Sequence, residues 1–418
     1  MNNHAYITLS HPTGQIHGSI RIFGSKSESN RALIIRALSK GQIHIKNLSN
    51  ADDTTILEAI LRNNHVDDNL QVIDIGHAGT AMRFLTAYLA VTPGKYILTG
   101  SERMKHRPIK PLVDALQQAG ANIDYLEDAG FPPLHINGKN LGPDTPIYID
   151  GSMSSQFVSA LLMIAPTMEN GLKLTISPNL ASTPYFEMTL SMMEEAGIII
   201  KKNNNLISIA RQHYKSGILN IEADWSSASY WFSIAALAED AEIELIGLKE
   251  LSKQGDRKII DMVNSLGIVS QYTPQGIFLK KNKITVNEEL QFDFADCPDL
   301  AQTILVCAAA LGKNVVFTGV ETLKIKETNR LNALSQELQK IGIKIENRNN
   351  HYYLDASGLT FPDEVEFDTY DDHRMAMALA PLALKCQRVI IHDPSVVSKS
   401  YPTYWEDLKT AGFECNYK

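Results

Sequence analysis

The sequence predicts an α/β fold of two similar lobes, each made of three copies of one strand-and-helix unit. Three observations carry that expectation. Six apolar helices recur along the chain, at 25–38, 78–91, 153–166, 225–238, 297–311 and 371–384, each entered through a polar segment. A second set of helical segments is amphipathic and runs into a glycine followed by apolar, strand-like residues. At 418 residues the chain also exceeds one ordinary core, so two domains are expected.

The first copy begins with the strand-like Ser19-Ile20-Arg21-Ile22-Phe23, which leads into Gly24-Ser25-Lys26-Ser27-Glu28-Ser29-Asn30-Arg31. Hydroxyl and amide side chains at a helix start cap free N–H groups, and the positive helix end attracts anions. Lys26 and Arg31 add two cations, and Gly24 permits close backbone approach. The segment reads as an anion cradle on a helix N-terminus, although the GxxxxGK[ST] spacing of a nucleotide-binding loop is absent. The later apolar helices include Phe157-Val158-Ser159-Ala160-Leu161-Leu162-Met163-Ile164-Ala165, apolar nearly all round, which places such helices inside a layer. The amphipathic set lies at 112–123, 190–199, 260–268 and 334–343, stopped by Gly120, Gly197, Gly267 and Gly342. Worn copies lie at 56–66, where Asn64 replaces the glycine, and at 405–415, around Gly412. Strands are expected between helices, for example at 173–176 and 315–317.

Together these are six copies of a unit of roughly 70 residues, each burying its apolar face against its neighbours. Three copies per lobe put a boundary near 220–224. We expect a first lobe at 22–223, a discontinuous second lobe at 1–21 plus 224–418, and an active site in the cleft between them. Helix N-termini converging on that cleft suit an anionic ligand.

Bulk composition narrows the function classes. With 44% hydrophobic and 21% charged residues, the chain reads as an ordinary soluble protein. A formal charge of −8 argues against nucleic-acid or anionic-membrane partners, so cationic clusters must be local and serve a small ligand. Four cysteines without a CxxC make no disulfide framework, and the N-terminus has no signal-peptide pattern. A cytoplasmic setting is expected. No His/Cys/Asp/Glu spacing points to a metal, and no cofactor is expected.

The remaining entrances carry chemistry of one kind. They are Gly76-His77-Ala78-Gly79-Thr80-Ala81-Met82-Arg83, the basic loop Arg103-Met104-Lys105-His106-Arg107-Pro108, and Gly151-Ser152-Met153-Ser154-Ser155-Gln156. Asp224-Trp225-Ser226, Asp296-Cys297-Pro298-Asp299, Lys326-Glu327-Thr328-Asn329-Arg330, Asp371-Asp372-His373-Arg374 and Lys399-Ser400-Tyr401 follow. Taken singly, each has a plainer reading. Arg83 and Arg374 read as snorkelling surface cations, Asp296 and Asp299 as N-caps, and Glu327 as part of a solvated charge run. His373 reads as a satisfied histidine and Cys297 as a packing residue, or else a thiol of lowered pKa.

Read together, the motifs from Gly24 to Arg31, Gly79 to Arg83, Ser154 to Gln156, Lys326 to Arg330 and Asp372 to Met377 closely resemble those of the EPSP synthases. These are 3-phosphoshikimate 1-carboxyvinyltransferases of the enolpyruvyl transferase family. The five motifs stand in the family's order, and the likeness runs from about residue 5 to the C-terminus. The resemblance implies the family's inside-out α/β barrel, two lobes of three βαβαββ units each. It implies transfer of the enolpyruvyl group of phosphoenolpyruvate to the 5-hydroxyl of shikimate 3-phosphate, with release of phosphate.

By motif match, phosphoenolpyruvate meets Lys26, Gly79, Arg107, Gln156, Arg330, Arg374 and Lys399. Shikimate 3-phosphate meets Lys26, Ser27, Arg31, Ser154, Ser155, Gln156, Ser182, Tyr185, Asp299, Thr322 and Lys326. The catalytic residues implied are Asp299 toward the attacking hydroxyl, Glu327 toward the methylene carbon, and Lys26 and His373 about the tetrahedral intermediate. Two carboxylates in different surroundings can divide such proton work. The sequence departs from the family pattern at His77, Asn329 and Thr322, where the family usually has Asn, Asp and Asn, and altered affinities are expected there. Gly79 keeps the small residue associated with glyphosate binding, so inhibition by glyphosate is expected, as is a monomer. The nearest rival reaction uses UDP-N-acetylglucosamine as acceptor, but its usual cysteine is missing from the 103–108 loop. A phosphometabolite sensor is the rival outside catalysis, and it has no need of the two carboxylates.

Overall fold

The structure, a computed structural model, describes residues 5–63, 69–282, 289–349 and 351–418. The chain divides into two compact units. The central unit is Gly24–Ile221, and the terminal unit joins Met1–Phe23 to Glu222–Lys418.

One strand plan recurs in both units. In the terminal unit, Leu290–Asp293 lies parallel to Val315–Thr318, which lies antiparallel to His351–Asp355, which pairs in turn with Lys344–Arg348. The sheet of Gln15–Arg21, Asp240–Ile246, Gly276–Lys281 and Ile268–Tyr272 has the same order and sense. So does that of Glu364–Phe367, Arg388–His392, Tyr6–Ser10 and Glu414–Tyr417, completed by the first strand of the chain. The central unit holds two such sheets, around Gly94–Thr99 and Leu172–Ile176. Its third has two strands among the described residues, with Ile43–Lys46 parallel to Gly217–Asn220. Among the described residues the first copy therefore shows fewer strands than the others. Asn64, read as a worn helix stop, lies outside the described residues.

Six buried helices begin the units' α layers: α1 (Lys26–Leu38), α2 (Gly79–Val91), α3 (Ser155–Ile164), α4 (Trp225–Leu237), α5 (Ala301–Ala310) and α6 (His373–Leu379). They bury nearly their whole circumference; several, such as α3, are apolar nearly all round, whereas α1 also buries Glu28, Ser29, Asn30 and Arg31. In the terminal unit α4, α5 and α6 pack into one core, with Trp225, Trp231 and Phe232 among its fully buried members. In the central unit α1, α2 and α3 form another, around Phe84, Leu85 and Phe157. Proline sets several ends, because it lacks the N–H and crowds the preceding turn. Pro166 and Pro381 lie in 3-10 turns that close α3 and follow α6, and Pro298 opens the turn before α5.

The outer helices end as the pattern predicts. Gly120, Gly197, Gly267, Gly342 and Gly412 have φ of +92°, +85°, +91°, +82° and +96°. After Gly197 the strand begins only at Lys201, because the Gln212 side-chain amide takes both the N–H and the carbonyl of Ile199. Among the described residues no helix is long and apolar enough to cross a membrane.

Candidate active site

The central unit gathers its candidate residues at three helix entrances. Ser25 caps α1, its Oγ accepting the Glu28 N–H at 3.4 Å. Lys26 follows, its Nζ 3.3 Å from the buried Asp53 Oδ2. Arg31 is buried one turn further on, where Nε donates to Thr189 Oγ1 at 2.7 Å and Nη1 to the Ser27 carbonyl at 2.9 Å. Its Nη2 donates to Ser159 Oγ and the Tyr185 carbonyl. Every bond goes to a neutral oxygen, and burial lowers the Arg31 pKa to about 10. A buried guanidinium held by neutral partners is one that an anion would stabilise.

At the start of α2, a Cβ added to Gly79 would overlap Arg107 Nη1 and lie 2.9 Å from its Cζ and 3.1 Å from Arg83 Nη1. Only glycine lets both guanidinia approach this backbone. Arg83 is locked there, Nη1 donating to the Gly79 carbonyl at 2.9 Å and Nη2 to that of Pro108 at 3.2 Å. Arg83 thus shapes the loop that presents Arg107, and it is buried, not the snorkelling cation read from sequence. At α3, Ser154 caps the Gln156 N–H, and Gln156 Nε2 donates to Thr80 Oγ1 at 3.3 Å, joining the second entrance to the third. Ser182, at φ +53°, sits at the N-cap of Thr183–Glu195 with no side-chain capping bond. His77 is exposed, with Nδ1 3.0 Å from Ser101 Oγ.

The terminal unit assembles a denser cluster. Arg330, at the start of the helix Arg330–Gln339, is its hub. Nε and Nη2 donate to the two oxygens of Asp372 at 2.7 and 3.2 Å, Nη1 to Asp299 Oδ1 at 3.0 Å, and Nη2 to Glu327 Oε2 at 2.9 Å. Arg374 Nη2 donates to Asp299 Oδ2 at 2.9 Å, and Nη1 to the Asp299 carbonyl and Tyr230 Oη. Lys399 Nζ stands 3.2 Å from Glu327 Oε1, and Lys326 Nζ 3.7 Å from Asp299 Oδ1. Burial alone would raise the Asp299 carboxyl, but Arg374, Lys326 and Arg330 outweigh it and hold the group well below the usual range. Burial would likewise lower Arg330, whereas Asp372, Glu327 and Asp299 raise it. His373 is buried, its Nδ1 3.5 Å from Asp372 Oδ1. Thr322 Oγ1 is buried and has no hydrogen-bond partner among the described residues.

Several plain readings of single residues give way here. Asp299 does not cap a helix, because two arginines and a lysine hold its carboxylate. Asp296 pairs with Lys258 instead of capping. Arg374 is buried, and Glu327 bridges Arg330 and Lys399, so neither is a solvated surface charge. Burial drives the Cys297 thiol up, which leaves packing as its role. Sequence reasoning gave no role to Asp53, Tyr230 or Asp256, and took in Ser226 and Asp372 only as members of their motifs, with no partner named. All five are buried or partly buried, and nothing local in the sequence marks them as partners of Lys26, Arg330 or Arg374. Among the described residues no group of His, Cys, Asp and Glu could hold a metal.

The same residues fall within a match to the EPSP synthase (3-phosphoshikimate 1-carboxyvinyltransferase) family model, which covers residues 10–68 and 63–408. The chain belongs to the EPSP synthase family. The 3-phosphoshikimate 1-carboxyvinyltransferase of Bacteroides fragilis is 47% identical over 97% of both chains, and that of Vibrio campbellii 35% over 95% of this chain and 97% of the other. An EPSP synthase structure from Acinetobacter baumannii superposes with a TM-score of 0.77 at 20% identity, covering 98% of this chain and all of that one. The enolpyruvyl transferase NikO of Streptomyces tendae gives 0.75 at 15% identity, covering 100% of this chain and 99% of that one. The fold is that of the enolpyruvyl transferases, two lobes of repeated βαβαββ units. Membership in the EPSP synthase family sets the chemistry against which the two clusters are read.

Proposed function

We propose that the chain transfers the enolpyruvyl group of phosphoenolpyruvate to the 5-hydroxyl of shikimate 3-phosphate, releasing phosphate, as a 3-phosphoshikimate 1-carboxyvinyltransferase. The observation that carries this reading is one guanidinium, Arg330, bonded at once to Asp299 and Glu327 and flanked by Lys326, Arg374 and Lys399. A binder of phosphorylated anions has no use for two carboxylates among its cations, whereas a proton-transferring enzyme needs them.

In this reading the substrates draw on both clusters, and the active site takes residues from 22–223 and from 224–418. Phosphoenolpyruvate engages Lys26, Gly79, Arg107, Gln156, Arg330, Arg374 and Lys399, where planar guanidinium forks suit its carboxylate and phosphate oxygens. Shikimate 3-phosphate engages Lys26, Ser27, Ser154, Ser155, Gln156, Ser182, Tyr185, Asp299, Thr322 and Lys326. Arg31, bonded to the Ser27 carbonyl, belongs to the same set and meets the phosphate. Among the described residues the Thr322 hydroxyl has no partner and Ser182 makes no capping bond, which leaves both as donors for a ligand.

The hydroxyl adds to C2 of phosphoenolpyruvate as it loses its proton toward Asp299, while C3 gains a proton from Glu327. The methyl carbon then returns a proton as the C2–O bond to phosphate breaks, restoring the vinyl group. Lys26 and His373 steady the tetrahedral intermediate, and the fixed cations stabilise the charge that develops. Glyphosate is expected to compete with phosphoenolpyruvate at Gly79 and Arg107. We place the protein in the cytoplasm as a monomer. Proton NMR of a reaction with both substrates tests the reading: enol ether vinyl signals of a new shikimate ester are expected, and their absence with folded enzyme would overturn it.

A further inference from the structure

Asp372, His373 and Arg374 follow a turn in which two consecutive non-glycine residues, Tyr370 and Asp371, have φ of +54° and +55°. A left-handed tyrosine is strained, and a strained turn persists only where its surroundings over-determine it. Beside the Asp372 N–H bond to the Thr369 carbonyl, one side chain does much of the holding. Glu337 is fully buried, its Oε2 accepting the Asp368 N–H at 3.0 Å and the Tyr370 hydroxyl donating to its Oε1 at 2.6 Å. The same hydroxyl lies 3.0 Å from Gln336 Oε1. Lys340 Nζ closes the set, 2.7 Å from Glu337 Oε2 and 3.0 Å from the Glu366 carbonyl.

Glu337 stands seven residues after Arg330 on the helix Arg330–Gln339, so both project from one face. That face grips residues 368–372 at two points: Glu337 holds the amide of Asp368 and the ring of Tyr370, and Arg330 holds Asp372. Asp372 in turn caps α6 through the Arg374 N–H at 3.0 Å. We propose that Glu337 and Tyr370 form a bracket that sets the position of Asp372, His373 and Arg374 relative to Arg330. Both are positioning residues. They touch no reacting atom and act through the turn, and removing either lets the turn relax out of its left-handed conformation.

The inference rests on the enolpyruvyl-transfer reading, and its test separates the two. Parent enzyme, Tyr370→Phe, Glu337→Gln and Asp371→Gly are assayed with phosphoenolpyruvate and shikimate 3-phosphate, and their melting temperatures recorded. Tyr370→Phe keeps the ring and loses only the hydroxyl, with its contacts to Glu337 and Gln336, so it is the variant expected to fold normally. We expect its KM for phosphoenolpyruvate to rise about 3- to 10-fold, in line with one modest net hydrogen bond, and that of Glu337→Gln to rise more. KM for shikimate 3-phosphate should move less, because Arg374 lies in the set expected to hold phosphoenolpyruvate. Asp371→Gly relieves strain at an exposed position and should keep parent kinetics. Parent kinetic constants in both bracket variants, with only the melting temperature lowered, would overturn the inference and leave a purely structural carboxylate. An inactive parent would instead overturn the reaction assignment.

Discussion

Replacing Gly79 by alanine isolates the contribution of one close approach. Gly79 has no positive φ, so alanine fits the backbone, and a glycine-to-alanine change in a helix is favourable by up to about 1 kcal/mol. The atoms that a Cβ would meet belong to side chains: Arg107 Nη1 and Cζ, and Arg83 Nη1. Arg83 is tied to the Gly79 and Pro108 carbonyls, so Arg107 is the group that yields. Restoring ordinary van der Waals separation moves its guanidinium by roughly 1 Å, enough to spoil an aligned charge-assisted hydrogen bond. Such a bond contributes about 1.5–3 kcal/mol, a loss of roughly 10- to 150-fold in affinity. Steady-state kinetics with shikimate 3-phosphate saturating should therefore show KM for phosphoenolpyruvate raised at least tenfold, with the melting temperature at or above that of the parent. Sensitivity to glyphosate should fall in parallel. An unchanged KM in a folded Gly79→Ala enzyme would refute the placement of phosphoenolpyruvate against Arg107.

Other perturbations address the terminal unit. Asp299→Ala and Glu327→Ala should each lower kcat by about 10²- to 10⁴-fold while calorimetry still detects shikimate 3-phosphate binding. Turnover near the parent rate in both would remove the proton roles. Arg330→Met leaves the buried Asp372 without its arginine and takes one of the cations from Asp299 and from Glu327, and should cost about 3–5 kcal/mol in urea unfolding; a loss under 1 kcal/mol would contradict the hub. Asp256 is buried beside Ser226, and burial, with Asp299 adding to it, raises its carboxyl from 3.8 to about 6. The folded state thus holds this proton more firmly than the unfolded chain does. Its contribution is present at low pH and is lost as pH climbs from about 4 through 6, with a ceiling of about 3 kcal/mol. Asp256→Asn should flatten that stretch of the stability–pH curve, and a curve identical to the parent's would contradict the assignment.

Much of the fold was legible because it repeats. Apolar segments behind polar entrances announced α1 to α6, and glycines at positive φ marked where the outer helices stop. That the first copy has a two-stranded sheet among the described residues was not legible, since the pattern gave a helix at 56–66 but no count of strands. At the site, cations and carboxylates that stand in local motifs could be read, among them Lys26, Glu327, Arg330 and Arg374. Their partners could not. Asp53 answers Lys26 from another helix, Asp372 reaches Arg330 across 42 residues, and Ser226 meets Arg374 across 148. Motif reading placed Arg31 among the ligand contacts, but only the structure shows how much of its guanidinium is committed to Thr189, Ser159, Ser27 and Tyr185. Glu337 looks like any acidic residue on an amphipathic helix until the turn it holds is seen.

The central claim is that the two clusters serve enolpyruvyl transfer to a shikimate phosphate. Phosphate release from phosphoenolpyruvate, followed in parallel with shikimate 3-phosphate and with UDP-N-acetylglucosamine as acceptor, tests it most directly. The account predicts release with the shikimate ester and none with the nucleotide sugar. Release with the nucleotide sugar alone, or silence with both from folded protein that still binds the shikimate ester, would contradict it.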